Sequence, residues 1–225
     1  MSYQAEFTGW DELTLTDLMV AYRKAKVDCF MEDGYPSAID FAEFEENLLD
    51  NLKDLLDEWQ EHDGPKNLTH YFGQFRVVPK KVSSKPKEDC KNGHTHFSNK
   101  KRAFEHFCNF NTITPEFRIV GNFPVKTHIL SALWINMVGH KFDSCLSESD
   151  VYGARLKRLK GEGANKEKPF NLAGIGSFKP YYQPYQQWRN SGLSAIRSEL
   201  EHKRPVIAVS LDLKSYYHTI DPSFI

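Results

Sequence analysis

Phe41, Phe44, Leu48, Leu52, Leu55 and Trp59 recur at steps of three and four residues. Only an α-helix places that series on one face, so the spacing predicts one amphipathic helix that opens near Ser37 and runs five turns. Asp40 sits in its first turn, and Asp63-Gly64-Pro65 closes it. A second stripe, Leu13, Leu15, Leu18, Met19, Tyr22, Ala25 and Phe30, predicts a helix over 13–32 that ends at Gly34 and Pro36. These stripes are core-facing, not ligand-facing.

Charge divides the chain at the end of that first series. Residues 1–63 hold 17 Asp and Glu against 4 Lys and Arg, whereas 64–225 hold 13 against 25, a local net charge of +12. The second part therefore has the electrostatic footprint of a polyanion binder, and the first reads as a solvated helical region. MSYQAEF has no basic stretch followed by an apolar core, and Ile129–Val138 is too short and too interrupted to span a bilayer. Cys29, Cys90, Cys108 and Cys145 are scattered as reduced thiols are, so the expected location is the cytoplasm, without a membrane partner.

Beyond Pro65, Tyr71–Lys81 alternates as a strand and leads into a polar, lysine-rich loop up to Arg102. Residues 76–102 carry nine Lys or Arg against two acids. EFRIVGNF (116–123) reads as another strand. Ile129, Leu130, Leu133, Trp134, Met137, Val138, Phe142 and Leu146 form a helix after Pro124. A Gly/Lys-rich connection (157–180) precedes a helix through Trp188, Leu193, Ile196 and Leu200, and a strand over 205–213 follows. Strands and helices without regular βαβ alternation predict an α+β fold.

The apolar run Val206–Leu211 reads as a buried strand that delivers Asp212 at its tip. A buried carboxylate needs a cation or a metal ion, unless Asp212 merely caps the following turn.

LDLKSYYHTID (211–221) resembles motif A of the right-hand polymerases in their reverse-transcriptase form. The resemblance implies that Asp212 is the catalytic carboxylate and binds both Mg2+ ions, that the Leu213 carbonyl reaches a metal, and that Tyr217 lies beneath the incoming sugar. Upstream, RIVGNFPVKTHILSALWINMVGHKFDSCLSESDVYGARLKR (118–158) is similar to the fingers of group II intron and related bacterial reverse transcriptases. An Arg-bearing strand leads there through Pro to a helix, and a Tyr-Gly-aromatic-Arg signature follows. Here that signature is Tyr152-Gly153-Ala154-Arg155, with Ala154 in the aromatic's place and Leu156 where a Pro is common. YQQWRNSGLSAIRSELEHKRPVIAVSLDLKSYYHTID brings the likeness closest to the antiphage-defence reverse transcriptases of the unknown groups.

The resemblance implies polymerase fingers and the start of a palm, preceded by N-terminal helices. It divides the chain into an acidic helical region (1–64), a fingers-like region with basic loops (65–204) and a first palm strand (205–225). The remainder of the palm, the thumb and a motif C carboxylate pair are expected outside the chain, so the chain alone is expected to be inactive. The implied partners are an RNA template or non-coding RNA, a DNA product and deoxynucleotides, with a second reverse transcriptase or further copies of the chain as protein partners. Arg118, Lys126 and Arg155 are the expected nucleotide contacts. Lys80, Lys81, Lys100, Lys101, Arg102, Lys157 and Arg158 are the expected nucleic-acid contacts. The alternative is a catalytically silent nucleic-acid-binding or scaffold subunit of a reverse-transcriptase complex.

Two further clusters stand apart. Cys90, His94, His96, His106 and Cys108 match no standard zinc spacing and read as a mobile basic loop. Tyr181, Tyr182, Tyr185 and Trp188, interleaved with Lys179 and Arg189, either stack on single-stranded nucleic acid or pack on the palm, with Trp188 the one expected to be buried.

Overall fold

A computed structural model describes residues 5–31, 38–87, 96, 98–160 and 168–212. The chain forms two compact units, Met1–His140 with Leu172–Ser177, and Lys141–Asn171 with Phe178–Ile225. It mixes helices with one two-stranded sheet, as α+β composition requires. No described helix is long and apolar enough to cross a membrane.

In the first unit, α1 spans Leu15–Phe30. The Thr14 hydroxyl accepts from the Asp17 amide at 3.3 Å, and the Asp17 carboxylate accepts from the Thr14 amide at 2.9 Å. This reciprocal cap contributes about 1 kcal/mol. Leu18, Ala21, Tyr22, Ala25 and Cys29 form the buried stripe of α1. Their partners in the core are Leu52, Leu55 and Trp59 of α3 (Leu48–Glu61) and Ile129, Ala132 and Leu133 of α5 (Val125–Trp134).

The stripe that predicts one long helix is divided between α2 (Ala38–Glu45) and α3. Asn47 leaves helical geometry at φ −131°, ψ 45°, and the Asn51 side-chain amide donates to the Phe44 carbonyl at 2.9 Å. A local turn satisfied by an asparagine thus interrupts a continuous apolar pattern. Ser37, Gly34 and Pro36 lie outside the described residues. The predicted stop at Asp63-Gly64 stands, with φ +51° and +119°. A Cβ on Gly64 would sit 3.0 Å from the Trp10 ring, so both conformation and space demand glycine there.

The acidic helices do not form a unit of their own ending at residue 64. Charge changes sign there, but α1 buries its apolar face against α5, and core contacts define the unit. Lys24, 2% exposed, donates to the Gly176 carbonyl at 3.3 Å, and the Asp28 carboxylate accepts from the Ser177 amide at 2.8 Å. These bonds tie segment 172–177 to α1.

After a 3-10 turn, Leu68–Tyr71, β1 spans Gln74–Pro86 and pairs antiparallel with β2, Asn111–Asn122. Both strands are longer than the sequence pattern predicts. Part of the expected lysine-rich loop is strand, and its end opens α4, Lys100–Phe110, capped by Asn99, whose side-chain Oδ1 accepts from the Lys101 amide at 2.9 Å. Lysines and serines weaken the strand signal over 80–86, where the cross-strand ladder overrides propensity.

α5 continues through a π turn (Ile135–Gly139) into α6 (His140–Cys145), so the helix after Pro124 forms as expected, with one wide turn. Asn136 in that turn is fully buried, and neither amide atom meets a hydrogen-bond partner among the described residues.

In the second unit, α7 spans Tyr182–Glu201, with Pro184 its buried residue. The expected strand over 205–213 is absent from its described part. Residues 205–212 are not in a strand, and Ile207, Val209 and Leu211 are 91%, 74% and 90% exposed. A strand exists through its partner, and no described strand pairs with this segment.

Candidate nucleic-acid interface

The β1–β2 ribbon has two chemically distinct faces. Residues directly opposite in an antiparallel pair share a face, and neighbours along a strand alternate. Arg76 pairs with Val120, Val78 with Arg118, Lys81 with Glu116, Ser83 with Thr114 and Lys85 with Thr112. This face therefore carries Arg76, Lys81, Lys85 and Arg118, all exposed, with Glu116 its one acid. The other face carries Phe75, Val77, Pro79, Val82, Ile113, Pro115, Phe117 and Ile119, with no charge at a paired position.

A bulge produces this separation. Pro79 pairs with Phe117 and Lys81 with Glu116, which leaves Lys80 as the extra residue. Strict alternation from Arg76 would place Lys81 and Lys85 with the phenylalanines. The added residue shifts the register by one and returns them to the arginine face. Lys80 thus acts by being an extra residue, whatever its charge does.

The other basic positions differ from one another. Lys100, Lys101 and Arg102 crowd the first turn of α4. Cations there oppose the helix dipole, so helix stability does not account for them. Lys126, half-buried in the first turn of α5, holds its ammonium 4.5 Å from the Tyr71 ring centre. Burial pushes the Tyr71 phenol up to about 12, and its oxygen accepts from the Trp59 indole at 2.6 Å. Lys126 also lines a shallow groove of about 580 Å³ whose lining includes Asp40 and Glu43, so its surroundings are mixed in charge. Burial lowers the basicity of neighbouring His128.

Arg155, 5% exposed, is fully committed within its own unit. Its Nε donates to Asp143 Oδ2 at 2.9 Å, Nη1 donates to the Ser147 and Val151 carbonyls at 3.0 Å, and Nη2 donates to Asp143 Oδ1 at 3.2 Å. The bonds to Asp143 strengthen its hold on its proton. Burial raises the Asp143 carboxyl, but hydrogen bonds from Arg155 and the Leu156 amide, with the charges of Arg155 and Arg158, bring it below the usual carboxylate range. Arg158 lies 4.0 Å over the Phe170 ring and donates to the Lys168 carbonyl at 2.7 Å. The Lys157 carbonyl accepts from the Asn171 amide at 2.9 Å. Ala154, in the aromatic's place, adopts φ +49°, a left-handed conformation. The Tyr152–Arg158 stretch is thus a hydrogen-bonded turn clamped on Asp143, and its guanidiniums face protein.

Asp212 is exposed at the end of the 205–212 segment. An exposed carboxylate has no desolvation cost to offset, so the burial argument for a cation there does not hold and the motif alone carries its assignment. Leu213, Tyr217 and Asp221 lie outside the described residues. Magnesium requires several oxygen ligands in near-octahedral array, and no three metal-ligating side chains converge among the described residues. The described residues by themselves do not make a magnesium site.

Cys90 and His94 fall outside the described residues, while His106 and Cys108 lie on α4, where the His106 ring is 4.4 Å from Phe110. Tyr181, Tyr182 and Tyr185 are exposed, and Trp188, expected to be buried, is 52% exposed with its ring 5.8 Å from Tyr185. α7 buries little, so Trp188 has no core to enter among the described residues. The sequence reading missed the two-faced ribbon; its signal was the one-residue slip in alternation at Pro79-Lys80-Lys81. Comparisons with protein-family models, curated proteins and solved structures return no match.

Proposed function

We propose that this chain belongs to an RNA-directed DNA polymerase of the bacterial antiphage-defence kind, with Asp212 contributing to a two-magnesium nucleotidyl-transfer site. The observation that carries the reading is the order of its parts. An exposed Arg118 on β2 leads through Pro124 into α5, the Tyr152–Arg155 turn follows, and LDLKSYYHTID ends the series. The basic face of the ribbon supports a polyanionic substrate, RNA template or DNA product. The fingers and palm assignments, the deoxynucleotide substrates and a cytoplasmic setting belong to the same proposal. Asp212 alone does not hold a reacting pair of ions, so the remaining carboxylates must come from elsewhere in the working polymerase. The test is magnesium-dependent incorporation of deoxynucleotides on an RNA template. The complete protein should incorporate them, and residues 1–225 alone should not. Incorporation by the isolated chain, or none by the complete protein on any template, overturns the reading.

A second reading, a silent nucleic-acid-binding subunit, is favoured by one specific feature. The ribbon's basic face is complete within the described residues, and the metal site is not.

A further inference from the structure

We infer that the basic face of the β1–β2 ribbon lies along the groove of a base-paired nucleic-acid duplex, gripping phosphates and reading no bases. The inference rests on the nucleic-acid part of the proposed function and names the form of nucleic acid the ribbon takes. Sites for single strands combine cations with aromatic rings on which bases stack. On this ribbon the two are separated: Phe75 and Phe117 share one face, while Arg76, Lys81, Lys85 and Arg118 occupy the other. The basic face offers charge with no stacking surface, which suits a ligand whose bases are already stacked and paired.

Dimensions agree. The partners of Arg76 and Lys85 on β2 are Val120 and Thr112, eight residues apart. At about 3.4 Å per residue the cations are spread over about 27 Å, most of one duplex turn. A two-stranded ribbon fits a B-form major groove, and the A-form minor groove is wide and shallow. Thr112 and Thr114, exposed on the same face, offer hydroxyls to phosphate or ribose oxygens. Glu116, beside Lys81, repels phosphate locally and leaves the face at net +3, four cations against one acid.

The bulge sharpens the test. Deleting Lys80 removes one charge together with the bulge, and leaves Lys81 opposite Glu116 and Lys85 opposite Thr112 on the arginine face. Lys80→Gln removes the charge and keeps the register. The experiment measures equilibrium binding of the whole chain to a 20-base-pair RNA duplex, an RNA–DNA hybrid, a DNA duplex and a single strand of the same sequence, between 50 and 200 mM salt. Each phosphate contact contributes about 0.9 to the logarithmic salt slope on a duplex, about 3.5-fold in affinity over that range.

The expected result is preference for at least one duplex over the single strand. Lys81→Gln/Lys85→Gln should lower the duplex slope by about 1.8 and leave single-strand binding unchanged. Deletion of Lys80 and Lys80→Gln should each lose no more than one contact, since both keep Lys81 and Lys85 on the arginine face. Circular dichroism and melting establish that each variant is folded, and the double variant, confined to exposed positions, decides the matter if the deletion does not fold. Equal or better binding of the single strand, or a double variant with unchanged duplex slope, overturns the inference. A chain that binds none of the four ligands fails the nucleic-acid reading as well, whereas binding that bypasses the ribbon fails this inference alone. Comparison among the three duplexes then identifies the groove.

Discussion

Asp143→Ala should unfold the second unit at markedly lower temperature, because it strands a buried cation. The side chains of Arg155 and Asp143 are 6% and 8% exposed, and Asp143 supplies both carboxylate oxygens to the guanidinium. Removing one partner of such a pair costs about 3–5 kcal/mol, since the other charge is left in a poorly solvated site. For a chain of this size each kcal/mol lowers the transition by about 2–4 °C, so a loss of roughly 6–20 °C is expected in the transition of that unit. Asp143 Oδ2 also accepts from the Leu156 amide at 3.3 Å, so hydrogen exchange at Leu156 should accelerate in parallel. Replacing both partners by apolar residues of similar volume, Asp143→Leu with Arg155→Met, should recover most of the loss. Differential scanning calorimetry and exchange mass spectrometry on the three proteins provide the readout. An Asp143→Ala protein that melts within about 2 °C of wild type refutes the clamp and returns Arg155 to the list of free nucleotide contacts. The pH dependence carries a sign. The Asp143 carboxyl titrates below its ordinary value when folded, so its stabilisation is present above about pH 4 and fades as pH falls through the folded value. In Asp143→Ala that acid-side loss should be missing.

Asn136→Leu should raise the melting temperature of the first unit, since it removes a fully buried amide whose missing partners cost about 1–3 kcal/mol; a lower melting temperature shows that the π turn depends on it. Leu52→Ala should cost about 2–5 kcal/mol in urea unfolding, because its side chain on α3 is fully buried in the core that α3 shares with α1. On the polymerase reading, Tyr217→Ala should reduce the preference for deoxynucleotides over ribonucleotides, and an unchanged incorporation ratio refutes the placement of Tyr217 beneath the sugar.

Periodicity made the helices legible. The stripes of α1 and α3 and the series after Pro124 each point one way, because a buried helical face leaves a spaced apolar record. Where a side chain satisfied the backbone locally, the record misled. Asn51 bonding to the Phe44 carbonyl splits a stripe that reads as continuous. The ribbon was half legible, because lysines and serines disguise 80–86 and a single added residue shifts the alternation. Of the candidate site, Arg118, Lys81 and the α4 cations stand exposed as a polyanion contact requires, and Lys80 supplies the bulge. Arg155 looked the same in sequence, yet its partner Asp143 is twelve residues away, and only the turn brings the two together. The 205–212 segment has a buried strand's composition without a strand's partner, so its pattern describes an affinity for a sheet that no described residue meets.

The most direct test of the polymerase reading is primer extension on an RNA template by the complete protein, wild type against Asp212→Asn, with template binding measured alongside. The amide keeps the shape of the side chain and removes the charge that would hold magnesium. The reading predicts that Asp212→Asn abolishes deoxynucleotide incorporation at every magnesium concentration while template affinity and melting temperature stay at wild-type values. Wild-type incorporation by Asp212→Asn would contradict it.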